Sequence, residues 1–234
     1  MYKFVLFDFD GTVYDTVEGI TKSVRYAINK YGMDASLDEL RCFAGPPLLD
    51  KFMEVFGVDE ARARELVDAY RERYRPIGLQ ECQLFPGMKE LLIKLREQGI
   101  KTAITTMKPQ EMAEMLLERE DMLGLFDVIY GSTLSQNVSK PILVQRAMET
   151  LGASVTDTVL VGDTKYDILG AHEKGIPAIG VRYGYAAENE LEAAGADFIA
   201  EDMAELEKLL LRERRINSGR YVSLRLQGRQ SAPL

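Results

Sequence analysis

The sequence has no tryptophan, one histidine and two cysteines, and each scarcity closes off a class of chemistry. A single histidine, His172, cannot build a multi-histidine metal centre, and in a helix of ordinary composition it reads as a surface or structural residue. Cys42 and Cys82 are isolated and show no Cys-x-x-Cys spacing, so free thiols in a reducing compartment are expected rather than a disulfide. No apolar run approaches the ~20 residues needed to span a bilayer, and the amino terminus carries no signal-peptide pattern. The expected setting is the cytoplasm, with no membrane partner. Positive charge is also short: 29 basic against 37 acidic residues leave a formal charge of -8, which argues against a general nucleic-acid partner. Neither an internal repeat nor a low-complexity stretch is present.

What the chain does have is carboxylates at strand ends. Lys3 to Phe7 reads as a buried strand that runs into Asp8-Phe9-Asp10-Gly11-Thr12. In an extended segment residues i and i+2 point the same way, and open α/β sheets place their chemistry at the carboxyl ends of strands. Asp8 and Asp10 would then face one site, with Gly11 turning the backbone away; the plainer reading is an Asp-Gly hairpin turn. A second apolar strand, Thr158 to Val161, leads into Gly162-Asp163-Thr164-Lys165-Tyr166-Asp167. Asp163 sits at the strand tip and Asp167 on the same face of the helix that follows, although Asp163 alone could be a helix cap. Like charges gathered in one cleft repel by about 4 kcal/mol per pair at ~4 Å and an effective dielectric near 20, so something cationic must sit between the two pairs. Thr106, after the strand Ile100 to Ile104, and Lys140, opening a helix, offer a hydroxyl and an ammonium suited to phosphate oxygens. Taken singly they would pass for a helix cap and a solvated lysine.

The order Asp8-x-Asp10-Gly11-Thr12, Thr106, Lys140, Gly162-Asp163-x-x-x-Asp167 resembles the four motifs of the haloacid dehalogenase superfamily of hydrolases. Gly45-Pro46-Pro47-Leu48, Phe85-Pro86-Gly87 and Gly180 to Tyr185 make it similar to the phosphoglycolate-phosphatase-like branch, over residues 3 to 211. The resemblance implies Asp8 as nucleophile, Asp10 as general acid and base, and Thr106 and Lys140 as holders of the phosphoryl group. Thr12, Met107 and Arg41 join Thr106 and Lys140 as expected substrate contacts. The family often has Asn where Met107 stands. Magnesium is the implied cofactor, held by Asp8, Asp163, the backbone carbonyl of Asp10, and Asp167 either as a ligand or behind the ligands. These residue types suit the task. A carboxylate with a reference pKa near 3.9 is ionised at neutral pH, so Asp8 needs no base before it attacks phosphorus. Asp10 must give a proton to the leaving alkoxide and take one from water. The implied function is a magnesium-dependent phosphatase acting on small phosphate monoesters through an aspartyl-phosphate, phosphoglycolate-phosphatase-like. A 5'-nucleotidase, a pyrophosphatase and a noncatalytic protein that keeps the fold are the alternatives. The dehalogenase relatives need neither Asp10 nor the metal, and the sugar-phosphate mutase branch carries an arginine where this chain has Pro46, Pro47 and Leu48.

The expected fold class is α/β, a Rossmann-like three-layer core with a parallel sheet plus an inserted all-α cap domain. From Thr16 to Leu84 the pattern is helical, with Ile20, Val24, Ala27, Ile28 and Tyr31 at helical spacing and a capping-box start at Ser36 to Glu39. Strand-like runs at 100–105, 126–130, 157–161, 177–181 and 196–199 alternate with helices, which implies a parallel sheet covered on both faces. The expected divisions are a core of residues 1–15 and 85–211, a cap of 16–84 that chooses the substrate, and a basic tail of 212–234. That tail holds six arginines against one glutamate, +5 where the other 211 residues sum to -13. Tyr221 to Leu226 alternates like an edge strand. The expected partner is a small phosphorylated metabolite, and the expected assembly a monomer or homodimer.

Overall fold

Alternation along the first strand decides how the chain layers. In the computed structural model, which describes residues 2–133 and 138–211, β1 (Phe4–Phe7) sends Val5 and Phe7 to one side and Leu6 to the other, all three fully buried. A strand buried on both faces must be covered by helices on both. The chain supplies them. After the two-residue β2 (Tyr14–Asp15) come α1 (Val17–Asn29), a 3-10 turn at Glu39–Phe43, α2 (Leu48–Phe56), α3 (Glu60–Tyr74), a 3-10 turn at Gly78–Gln80, and β3 (Gln83–Leu84). From there it alternates through α4 (Met88–Glu97), β4 (Lys101–Pro109), α5 (Gln110–Arg119), β5 (Val128–Ser132), α6 (Lys140–Leu151) and β6 (Thr158–Gly162). It ends with α7 (Lys165–Glu173), β7 (Ala178–Val181), α8 (Glu190–Ala193), β8 (Phe198–Ala200) and α9 (Met203–Leu211).

Six of these strands form one parallel sheet in the order β5-β4-β1-β6-β7-β8. Val5 and Phe7 pack with Leu91 and Leu95 of α4, Leu116 of α5 and Leu206 of α9. Leu6 packs with Val144 of α6, Ile168 of α7 and Leu191 of α8. Phe7 lies level with Ile104 on one side and Val161 on the other. The chain builds outward from β1 through β4 to β5, then crosses back through α6 to β6. The carboxyl end of β1 is therefore a switch point, where open sheets form their crevice.

The helical insert lies between β2 and β3, which pair antiparallel as Tyr14↔Leu84 and Asp15↔Gln83. Ile20, Val24, Ala27 and Ile28 make the buried stripe of α1, at the spacing of one helix face, and pack in one core with Ala63, Leu66 and Tyr70 of α3 and with Phe43 and Phe52. Two expectations are corrected. The reciprocal Ser36–Glu39 bonds exist, Glu39 Oε2 accepting from Ser36 N at 2.8 Å and Oγ at 2.7 Å, yet they open only a five-residue 3-10 turn. Pro46 and Pro47 follow too closely for an α-helix to propagate. The strand expected to end at Thr105 runs on to Pro109. No helix among the described residues is long and apolar enough to cross a membrane. The Arg-rich segment 212–234, with its expected edge strand, lies outside the described residues.

Candidate active site

Asp8 follows β1 directly, and its N–H donates to Val161 O at 2.8 Å, continuing the ladder one residue past the strand. Its parity with Leu6 aims it at α6 and α7. Lys140, the first residue of α6 and 5 % exposed, brings Nζ 2.5 Å from Asp8 Oδ1 and 2.7 Å from Thr105 O. The same ammonium lies 2.7 Å from Asp167 Oδ1, off hydrogen-bond alignment, so this buried oxygen makes a charge contact and no hydrogen bond. Burial pushes the Asp8 carboxyl up to about 7 against the pull of Lys140, with Asp167 adding to the rise. Burial opposes the charge on Lys140, but Asp167 and Asp8 outweigh it and hold the ammonium above its ordinary range.

Asp163, at the tip of β6, is fully buried. Thr12 Oγ1 donates to its Oδ1 at 3.1 Å and Tyr185 N to its Oδ2 at 2.8 Å. The backbone comes so close that a Cβ on Gly11 (φ +84°) would sit 2.1 Å from Asp163 Oδ2, and one on Gly184 2.2 Å from Asp163 Cβ. Burial, then Asp167 and Asp8, hold the Asp163 carboxyl well above the usual range. Thr164, not Asp163, caps α7, and Asp167 Oδ2 accepts from Thr164 N at 3.0 Å and Oγ1 at 2.8 Å.

Asp8, Asp163 and Asp167 each offer an oxygen within 4.8 Å of the others, all buried. With all three ionised, the one ammonium in contact with the group, that of Lys140, would leave two negative charges in a poorly solvated space. An all-oxygen donor set carrying that excess fits a hard divalent cation. The Asp10 carboxylate is turned away from the cluster. Its Oδ1 accepts from Thr16 Oγ1 at 2.8 Å and from Lys108 Nζ at 2.9 Å.

Above the cluster is a cavity of about 530 Å³. Its core wall holds Asp8, Asp10, Thr106, Met107, Lys108, Lys140 and Asp167, and the insert contributes Pro46 to Leu49, Val67, Tyr70 and Tyr74, with Arg64, Arg71 and Arg75 also in the lining. Two expected substrate contacts lie elsewhere. Thr12 is buried behind the site, bonded to Asp163, and Arg41 is exposed and outside the cavity wall. Arg41 belongs to the 3-10 turn, which buries Leu40 and Phe43 and leaves Arg41 in solvent. Of the other cap cations, Lys51 pairs with Glu54 and Arg73 with Glu81.

Sequence reasoning missed Lys108 and Tyr185. Lys108 is two residues beyond Thr106 on the extended part of β4, so the period-two rule puts both on one face; ending the strand at Thr105 hid that. Tyr185 Oη donates to Asp15 Oδ1 at 3.0 Å and accepts from Thr16 N at 2.6 Å, while its own N–H holds Asp163.

A parallel sheet whose central strand ends in Asp-x-Asp, with a buried lysine and a second acid pair beside it, defines a hydrolase of the strand-end aspartate class. The family model for haloacid dehalogenase-like hydrolases matches residues 5–181, and the chain belongs to that family as one of its phosphatases. It is 39 % identical over 211 residues to a 5'-nucleotidase of Pseudomonas aeruginosa, covering 89 % of this chain and 96 % of the relative. It is 33 % identical over 205 residues to a pyrophosphatase PpaX of Halalkalibacterium halodurans, covering 86 % and 94 %. The crystal structure of a predicted phosphatase from Clostridium acetobutylicum superposes with a TM-score of 0.85 at 38 % identity, covering 90 % of this chain and 99 % of the other.

Proposed function

We propose that this phosphatase is magnesium-dependent, works through an aspartyl-phosphate on Asp8, and takes nucleoside 5'-monophosphates as substrates. The cavity carries the substrate reading. At about 530 Å³ it is within the roughly 300–1,000 Å³ range of small-molecule sites. Its insert side is apolar and aromatic: Pro46, Pro47, Leu48, Val67 and the stacked pair Tyr70–Tyr74, whose ring centroids are 5.0 Å apart. Such a wall suits a sugar and a planar base. A two-carbon acid such as glycolate would leave it wet. The name 5'-nucleotidase on the Pseudomonas relative points the same way. A small acidic ester is the second reading, favoured by Arg75 in the lining, where Arg64 is paired with Glu60 and Arg71 with Asp68.

Each of the residues gathered at the strand ends has a task in this chemistry. Ionised Asp8 attacks phosphorus, and the bond from phosphorus to the leaving oxygen breaks as the new one forms. Lys140 balances charge on Asp8 and on the transferring oxygens, the electrostatic part that dominates phosphoryl transfer. Thr106 Oγ1 accepts from Lys108 N at 3.1 Å, which leaves the hydroxyl hydrogen for a phosphoryl oxygen. Asp10 protonates the leaving alkoxide, then takes a proton from the water that attacks the aspartyl-phosphate and restores Asp8. Asp8, Asp163 and the Asp10 carbonyl would hold magnesium, with Asp167 behind them, and a bound ion screens the repulsion between Asp8 and the anionic phosphate. Residues 16–84 act as a cap that chooses the leaving group over a core of 1–15 and 85–211.

The test is a panel of phosphate esters assayed in magnesium and in chelator. Nucleoside monophosphates should exceed phosphoglycolate and pyrophosphate in kcat/KM by about tenfold or more, on the order of 1.4 kcal/mol, and chelator should abolish turnover. A ranking led by phosphoglycolate or pyrophosphate overturns the substrate reading, and full activity in chelator overturns the metal.

A further inference from the structure

Lys108 is a buried lysine that neither the phosphoryl group nor the carboxylate cluster accounts for. It is 7 % exposed, and its ammonium is fixed from two parts of the molecule. From the core, Asp10 Oδ1 accepts from Nζ at 2.9 Å; from the insert, Tyr74 Oη accepts at 2.6 Å. The same nitrogen lies 5.0 Å from the Tyr74 ring centroid and 5.8 Å from that of Phe9. Tyr74 is itself nearly parallel to Tyr70, at 16°. Burying an ammonium is costly unless it is paired, so this arrangement needs a return.

The return is visible at Asp10. Its Oδ1 is occupied by two donors, Lys108 Nζ and Thr16 Oγ1. A carboxyl oxygen engaged by two hydrogen-bond donors is a poor seat for a third hydrogen, so the exchangeable proton belongs on Oδ2. We propose that Lys108, held by Tyr74 of the insert, is a positioning residue that anchors Oδ1 of Asp10 and so aims Oδ2 at the leaving oxygen. As the ester P–O bond breaks, its electron pair stays on the leaving oxygen and the Oδ2 proton moves to it, while Lys108 keeps its own proton throughout. Because one of the lysine's partners sits on α3, the aim of Asp10 depends on the insert being seated. This rests on the acid role given to Asp10 above.

Leaving groups separate this role from a structural one. An alkyl ester such as a nucleoside monophosphate needs a proton as it departs, whereas p-nitrophenolate departs without one near neutral pH. For wild type, Asp10→Asn, Lys108→Met, Lys108→Arg and Tyr74→Phe, the measured quantity is kcat/KM for p-nitrophenyl phosphate divided by kcat/KM for the alkyl ester. Asp10→Asn should raise this ratio most, Lys108→Met by about tenfold, Tyr74→Phe by a few-fold, and Lys108→Arg less than Lys108→Met. Tyr74→Phe keeps the ring and its stacking, so it tests the proposal even where Lys108→Met folds poorly. If Asp10→Asn leaves the ratio unchanged, the acid role falls and the proposal falls with it. If Asp10→Asn raises the ratio while Lys108→Met and Tyr74→Phe lower both substrates equally, only the positioning role is overturned.

Discussion

Asp8 sits where one atom change is most informative. Asp8→Asn keeps the shape and removes the attacking charge, so turnover should fall by several orders of magnitude, with no acid-stable, hydroxylamine-sensitive phosphoryl-enzyme after rapid quench. Turnover within tenfold of wild type would sink the covalent route. Lys140→Met should report differently, because Lys140 is the ammonium in contact with both Asp8 and Asp167. Breaking a buried pair from one side costs about 3–5 kcal/mol, visible as a lower midpoint in urea, in addition to lost activity. The positions of Asp8, Asp10, Thr106, Lys140, Asp163 and Asp167 were legible because strand ends and helix starts announce themselves locally. Lys108 was hidden because the strand was ended too early at Thr105, and Tyr185 because its partner Asp15 stands 170 residues away, a range no local pattern carries. Arg41 was misplaced for the converse reason, since a charge on a short turn can face either way until the turn's buried side is known.

At the scale of elements, α3 and the segment Gly45 to Leu49, which enters α2, line the insert's side of the cavity. Tyr70→Ala removes the stacked aromatic from that wall and should lower kcat/KM for nucleoside monophosphates relative to a small ester by about tenfold, while Arg41→Ala should leave the ranking of substrates unchanged. A substrate panel on both variants checks this, and uniform slowing by Tyr70→Ala would mean the wall only excludes water. The six parallel strands were readable within two to four residues because both-face burial leaves near-continuous apolar runs. The helical character of the insert was equally visible, in the apolar spacing of α1. The β2–β3 pair was invisible, since two residues per strand are too few to show any period. The turn at Glu39–Phe43 was mistaken for an α-helix because capping chemistry tells where a helix begins and not how far it goes.

For the molecule as a whole, the acid cluster links stability to pH and metal. Asp8, raised to about 7, and Asp163, raised well above its usual range, bind more protons folded than unfolded. Stability from these groups is therefore full below the ordinary aspartate pKa and is lost as pH rises through the folded values. A divalent cation held there would compete with those protons and stabilise the state that has lost them. At 100 times its Kd a ligand adds about 2.7 kcal/mol, or roughly 5–10 °C in Tm for a chain of this size. Magnesium should give a gain of that order at pH 8 and a much smaller one at pH 5, read by calorimetry against a chelated control; equal gains at both would refute the linkage. The ribbon of β2 and β3 has a consequence of another kind. Because the chain leaves β2 at Asp15 and returns through β3 at Gln83 as paired neighbours, the two ends of the insert stay side by side. A change in the length of what lies between them need not part the strands behind Asp8 and Asp10, so the sheet tolerates insertions and deletions there.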